Sequence, residues 1–357
     1  MIYDTFTAAN TEKGFFSYFD ELVHDNSLDR VYLIKGGPGT GKSTFMRKIA
    51  DKFADDGMTV ERIHCSSDPN SLDGVQIKEK NISVIDATSP HAYEMSIPGA
   101  YESLIDLSKF WDENKLACNR QQIRQLFSQI SCAYKPVYSL LKAAGCVENW
   151  MSMLIENETD FEKITTQIKK IIKQNAISPI SSKPNISNRM LSAFSGDGII
   201  TYSKTTDTLC SEYIIIEDTA GIAGIFLNKA ALYFNKLGYN TMLIHSPLSP
   251  EKRLEQVIIP QLRLGFIASG HIYSPQIDER KIIKKINSKS YINKDFYSEN
   301  KNKITFAKKT IRELTSNAAK GIADIKTKHD ELEKFYINAM DFKALNKFTD
   351  DFIKNLH

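Results

Sequence analysis

The sequence predicts an α/β protein built from two tandem copies of one unit, each a parallel sheet with flanking helices, opened by a β-hairpin. Three observations carry this expectation. Tyr32 and Tyr213, Phe45 and Phe226, Lys48 and Lys229, Gly57 and Gly238, His64 and His245, and Pro69 and Pro250 all share one offset of 181, without a gap. Chance supplies one or two such pairs but not six, so an internal repeat is the first architectural fact. In both copies an apolar strand, a turn, an amphipathic helix and a second strand follow at the spacing of βαβ units. Between the copies, SPISSKPNIS (Ser178–Ser187) mixes Ser, Pro and Asn with little periodicity, the composition of a linker. The reading is therefore residues 1–177 as the first unit with a helical extension, 178–188 as linker, and 189–357 as the second unit with a Lys-rich helical tail.

Taken in order, each copy begins with a hairpin, turning at Asn10–Gly14 or at Gly196–Gly198. A strand follows at Val31–Lys35 or Tyr213–Ile216, then a helix ending at Gly57 or Gly238, residues suited to the left-handed position after a helix. A second strand is expected at Thr59–His64 or Thr241–His245, and a third at Ile82–Ala87 or Leu264–Ala268, the latter within a segment running on through His271–Tyr273. Beyond them helices are expected at Ala100–Trp111, Arg120–Lys142 and Asp160–Lys173, and two or three more over Asn302–Leu356.

The 357 residues suit two domains of ordinary size, and 42% hydrophobic with 25% charged residues is a globular mixture. The apolar span Tyr213–Phe234 is broken by Glu217 and Asp218, so no membrane helix is expected. The opening MIYDTFTAAN has neither the basic nor the apolar region of a secretory signal. Five widely spread cysteines (Cys65, Cys118, Cys132, Cys146, Cys210), with no C-x-x-C pair, speak against a disulfide framework or zinc module and for a reducing cytoplasm. A net charge of +3 from 46 basic and 43 acidic residues does not announce nucleic-acid binding. Residues 276–357 do carry 18 Lys/Arg against 12 Asp/Glu, which reads as a solvated helical face.

Chemistry concentrates in one motif. Gly36-Gly37-Pro38-Gly39-Thr40-Gly41-Lys42-Ser43-Thr44 fits G-x-x-x-x-G-K-[ST] between an expected strand and helix. A triphosphate needs several donors converging on one point, and only a chain poor in Cβ atoms can curl tightly enough to aim its amides inward. Lys42 is placed to reach the β- and γ-phosphates, and Ser43 to offer its hydroxyl to Mg²⁺. Asp86, closing the apolar run Ile82–Ile85, is the candidate second Mg²⁺ ligand. Asp68 and Asp73, expected in a loop at the C-terminal edge of the sheet, are candidates for orienting a water or accepting a hydroxyl proton. His64 recurs as His245 in the copy without the motif and so reads as structural; Cys65, matched by Ser246, reads as a small residue and not a nucleophile.

At the same place the second copy has Glu217-Asp218-Thr219-Ala220-Gly221-Ile222-Ala223-Gly224. Lys42 falls on Ala223 and Ser43 on Gly224, and two carboxylates at a phosphate cradle would repel the ligand. Asp86 falls on or beside Ala268. Fold and motif together predict two tandem P-loop NTPase-like domains, the second degenerate. The GGPGTGKST loop, HCSSDPNSLDGV, IDATSPH and IPGAYESLIDLSKFWDE resemble a group of bacterial tandem P-loop ATPases of spore-forming Gram-positive bacteria and their relatives. The likeness spans nearly the whole chain and is most specific over Thr5–Glu113. It implies nucleotide binding and hydrolysis; the loop at Glu217–Gly224 departs from that group, whose second half is also P-loop-like.

The expected function is an Mg²⁺-dependent ATPase with one working site in the first domain, ATP and Mg²⁺ being its cofactors and a protein partner an open possibility. Two other readings stand beside it: a small-molecule kinase in which Asp68 or Asp73 activates the acceptor, and a nucleotide-gated binding module using the Lys-rich stretch from Lys281 to Lys309.

Overall fold

The computed structural model describes all residues except 26, 91, 176–182, 271–274 and 357. It is an α/β structure with two six-stranded mixed sheets. The first contains β1 (Ile2–Thr5), β4 (Arg30–Lys35), β5 (Val60–His64), β6 (Leu72–Ile77), β7 (Ile82–Asp86) and β8 (Glu102–Asp106), in the order β1-β5-β6-β7-β4-β8. Every neighbouring pair is parallel except those of β6, which runs against β5 and β7. The second contains β9 (Ile186–Arg189), β12 (Glu212–Glu217), β13 (Thr241–His245), β14 (Leu254–Ile259), β15 (Leu264–Ser269) and β16 (Ile282–Asn287). Its order, β9-β13-β14-β15-β12-β16, repeats the first strand for strand, with β14 the reversed member. The hairpins stand apart as β2 (Ala8–Thr11) with β3 (Gly14–Ser17), and β10 (Ser192–Ser195) with β11 (Gly198–Thr201).

Several expectations are corrected. The segment Ala100–Trp111 is not a helix: it forms edge strand β8 and a short 3₁₀ turn at Leu107–Phe110. The stretch His64–Asp73 is not one loop, because β6 begins at Leu72 and takes Asp73 into the sheet. Lys281–Lys309 is not a free basic tail, since β16 and the start of a long helix occupy most of it. Strand β9 starts inside the expected linker; residues 178–182 of that linker and 271–273 of the second copy lie outside the described residues.

The helices are α1 (Phe19–Val23), α2 (Lys42–Asp55), α3 (Glu113–Cys118), α4 (Arg120–Glu156), α5 (Phe161–Asn175), α6 (Ser203–Leu209), α7 (Ala223–Lys236), α8 (Lys294–Ile337) and α9 (Phe342–Lys354). Their layout exchanges the two copies. From the first sheet, α4 crosses to the second, where Met151 and Ile155, followed by Ile164, Ile168 and Ile171 of α5, bury against Phe226, Leu227 and Ala230 of α7. From the second sheet, α8 crosses back, and Leu345, Phe348 and Phe352 of α9 pack with Phe45, Ile49 and Phe53 of α2. Between the sheets α4 and α8 meet through Val137, Leu141 and Ala144 against Ile311, Ala318 and Ile322.

Matched residues mark a pseudo-twofold relation. Phe6 and Met190 exchange both backbone hydrogen bonds, each 2.8 Å. Tyr18 donates to the Pro250 carbonyl at 3.3 Å, and Tyr202 to the Pro69 carbonyl at 3.1 Å. The bridge between Trp111 and Met340 is mirrored by that between Thr159 and Ile292. Across this interface the buried Glu61 carboxylate receives Arg189 Nε at 2.6 Å and Lys78 Nζ at 2.7 Å, and these cations hold its pKa well below the ordinary carboxylate value against the opposing pull of burial. No helix among the described residues is long and apolar enough to cross a membrane.

Candidate functional site

The glycine-rich stretch Gly36–Gly41 joins β4, bounded by β7 and β8, to the N-terminus of α2. Gly39 (φ 69°) and Gly41 (φ 88°) take left-handed backbone conformations that a side chain would strain. Inside the bend Lys42 Nζ donates to the carbonyls of Gly36 at 3.0 Å and Gly37 at 2.7 Å. The buried Thr40 closes the turn by donating its hydroxyl to the Gly37 carbonyl at 2.8 Å. The Ser43 hydroxyl accepts from the backbone N–H of Leu72 at 3.0 Å, tying the start of α2 to the start of β6.

Asp86 ends β7 beside β4, its Oδ2 3.6 Å from Lys42 Nζ. Its Oδ1 accepts from the Thr88 N–H at 2.9 Å and from the Thr88 hydroxyl. Burial pushes its carboxyl above the ordinary value, the Lys42 charge pulling the other way. The register of β6 and β7, Gly74 opposite Ile85, sets the buried Asp73 abreast of Asp86. The fold thus gathers Lys42, Ser43, Asp73 and Asp86 at the end of two adjacent strands and one helix. It does not bring Asp68 into that group. Asp68 stands at the rim, with Oδ2 accepting from the Ser71 hydroxyl at 2.9 Å and 3.8 Å from Lys326 of α8.

His64 and His245 play matching structural parts. Each ring bonds a proline carbonyl through Nδ1, Pro69 at 2.7 Å and Pro250 at 2.6 Å. Each reaches the neighbouring edge strand through Nε2, Asp4 at 2.8 Å and Asn188 at 2.7 Å. Burial, then the nearby Asp73 charge, push the Cys65 thiol up, keeping it protonated and unreactive.

The glycine-rich bend is roofed by the other copy. A Cβ added to Gly37 would lie 2.5 Å from the Tyr336 ring, one on Gly39 2.9 Å from the Glu333 carbonyl, and one on Gly41 2.9 Å from Leu345. Tyr336 also packs against Trp111, ring centroids 5.8 Å apart. Sequence reasoning missed this roof and Lys326. The repeat offset held a signal, because it pairs Lys326 with Gly145 and Tyr336 with Ile155.

In the second copy the matching bend has become core. Ala220, Ile222 and Ala223 are buried, and Asp218, fully buried, accepts from the Gly221 N–H at 2.7 Å and from Arg253 at 2.6 Å. The same guanidinium donates to the Gly221 carbonyl at 3.1 Å and lies 3.9 Å from Glu148 of α4. The Asp218 carboxylate is therefore neutralised within the fold, where repulsion alone was expected. Register places Ala268 beside Ile216 as Asp86 lies beside Ile34, so the second copy has no carboxylate there; in these strands the offset is 182, not the expected ungapped 181, and Tyr213 falls on Val31 instead of Tyr32. Arg263 donates to the Thr208 carbonyl, away from the first copy's bend.

No protein-family model, curated protein or solved structure matches the chain.

Proposed function

We propose that the chain is an Mg²⁺-dependent ATPase of two tandem P-loop NTPase-like domains, with one working site in the first and a non-hydrolysing second. The observation that carries this reading is the placement of Lys42, its ammonium drawn over the Gly36 and Gly37 carbonyls and 3.6 Å from Asp86. A cation held there by a loop of almost no side chains is suited to meet the oxygens of a polyphosphate. The loop amides and the N-terminal turn of α2 add donors and a positive dipole end.

The Ser43 hydroxyl and the Asp86 carboxylate are hard oxygen ligands of the kind Mg²⁺ takes, and they would hold it. When bound, that ion neutralises charge on the β- and γ-phosphate oxygens. Asp73 shares the buried floor, and Asp68 at the rim, its Oδ2 taken by the Ser71 hydroxyl, would face an attacking water through Oδ1. The second domain, with Arg253 lodged on Asp218, would take no triphosphate.

The test is calorimetric binding of ATP with Mg²⁺ together with phosphate release, for wild type, Lys42→Ala and Glu217→Ala. Lys42→Ala should lose release by on the order of 10²-fold or more, the range seen when a charge-stabilising donor is removed; Glu217→Ala should leave both readouts intact. Equal turnover in wild type and Lys42→Ala, or an affinity governed by Glu217, would overturn the reading.

A further inference from the structure

The two copies share one fold, so differences at matched positions single out what the first site needs. Lys42, Ser43 and Asp86 stand against Ala223, Gly224 and Ala268. The same comparison reaches a residue outside the motif. Asp68 is matched by Ser249, and on the crossing helices Lys326 of α8 is matched by Gly145 of α4. In the second copy Ser249 donates to Glu148 of α4 at 2.6 Å, closing that rim with a neutral donor. In the first copy opposite charges from different copies face each other at the rim: Lys326 Nζ, hydrogen-bonded to Asp330 one turn on at 3.0 Å, lies 3.8 Å from Asp68 Oδ2.

The other Asp68 oxygen, Oδ1, is buried and makes no hydrogen bond among the described residues. An unused buried acceptor is costly, so Oδ1 stands open to a donor. Lys326 also lies about two and three turns before the α8 residues seated on the bend, Glu333 over Gly39 and Tyr336 over Gly37. Seating of the arm therefore fixes where the ammonium stands.

We propose that Lys326 is a positioning residue of the first site, supplied by the second copy, which holds Asp68 so that its Oδ1 accepts a hydrogen bond from the attacking water. This rests on the ATPase reading. In the step, the water oxygen bonds to the γ-phosphorus as the bond to the β–γ bridging oxygen breaks. ADP leaves with that electron pair, and the water proton passes to Asp68 and then to solvent.

The experiment uses the full chain, with ATP and Mg²⁺ binding measured by calorimetry, kcat and KM by phosphate release, and folding by thermal melting. Lys326→Met should keep affinity and KM within about twofold while kcat drops roughly tenfold, as when a proton-accepting group worth 10²–10⁴ is loosened and not removed. Lys326→Arg should regain most of the rate. Asp68→Asn should lose at least as much, and adding Lys326→Met to it should cost nothing further, because both act through one group. An unchanged kcat in Lys326→Met, no recovery with Arg in a folded protein, or independent losses in the double variant would overturn the proposal. If wild type binds no nucleotide, the site reading itself falls; wild-type turnover with a fully active Lys326→Met sinks the positioning role alone.

Discussion

Arg253 does for the second bend what Lys42 does for the first: it puts a cation against loop carbonyls. It arrives, however, from the strand edge and brings Asp218 and Glu148 with it. Replacing Arg253 by Met would leave those buried carboxylates without the guanidinium they face, and such a loss typically costs about 3–5 kcal/mol; urea unfolding should show a drop of that size. Nearby, burial raises the Glu255 carboxyl to about 8, Arg253 pulling it back, while burial lowers His245 to about 4. Glu255 keeps its proton in the fold where the unfolded chain, with an ordinary value of 4.5, has lost it. Its contribution is full below that value and fades as pH rises to about 8. His245 is kept neutral, so its contribution is present above the ordinary 6.5 and lost as pH falls toward about 4. Between 6.5 and about 8 only the Glu255 contribution is changing of these two. Stability should therefore decline over that window, and Glu255→Gln should flatten the decline in pH-resolved unfolding curves.

At the scale of elements, the strand–bend–helix of each copy was legible because Val31–Ile34 and Ile214–Ile216 are apolar runs followed by turn residues, and α2 and α7 carry one apolar face. The hairpins were legible from their glycines. Strands β8 and β16 were not. Leu104, Ile105 and Leu107, like Ile282, Ile283 and Ile286, fall at spacings a helix face also uses, and an edge strand needs only one apolar side. Strand β6 was hidden because Asp73 and Gly74 interrupt it, residues that favour turns until neighbours on both sides pair the backbone. The four residues of the site floor were named from sequence, but Asp73 was assigned to a loop for the same reason. Helix α5 showed its apolar face without showing what would cover it. Its counterpart in the other copy, the face of α9 that covers α2, carries a prediction: Leu345→Ala should destabilise the protein by about 2–5 kcal/mol, the cost of emptying a buried leucine site. It should also speed amide exchange in Phe342–Lys354 before the first sheet opens, a difference visible by mass spectrometry.

For the whole molecule, exchange of arms means neither copy closes its core alone. Residues 1–177 alone would expose the apolar flank of α2 and leave α5 without α7. The expectation is that this fragment is partly unfolded or self-associated, and that co-expression with the remainder of the chain restores a compact one-to-one complex, as sedimentation and circular dichroism would report. A folded, monomeric fragment would contradict the exchange. The roof over Gly37, Gly39 and Gly41 has a last consequence, one of inheritance. The glycine-rich bend is written in the first stretch of the chain, but the side chains resting on it are written in the second copy. The second copy therefore cannot be removed by deletion without uncovering the bend of its sibling, which ties the doubled length of the chain to the first bend alone.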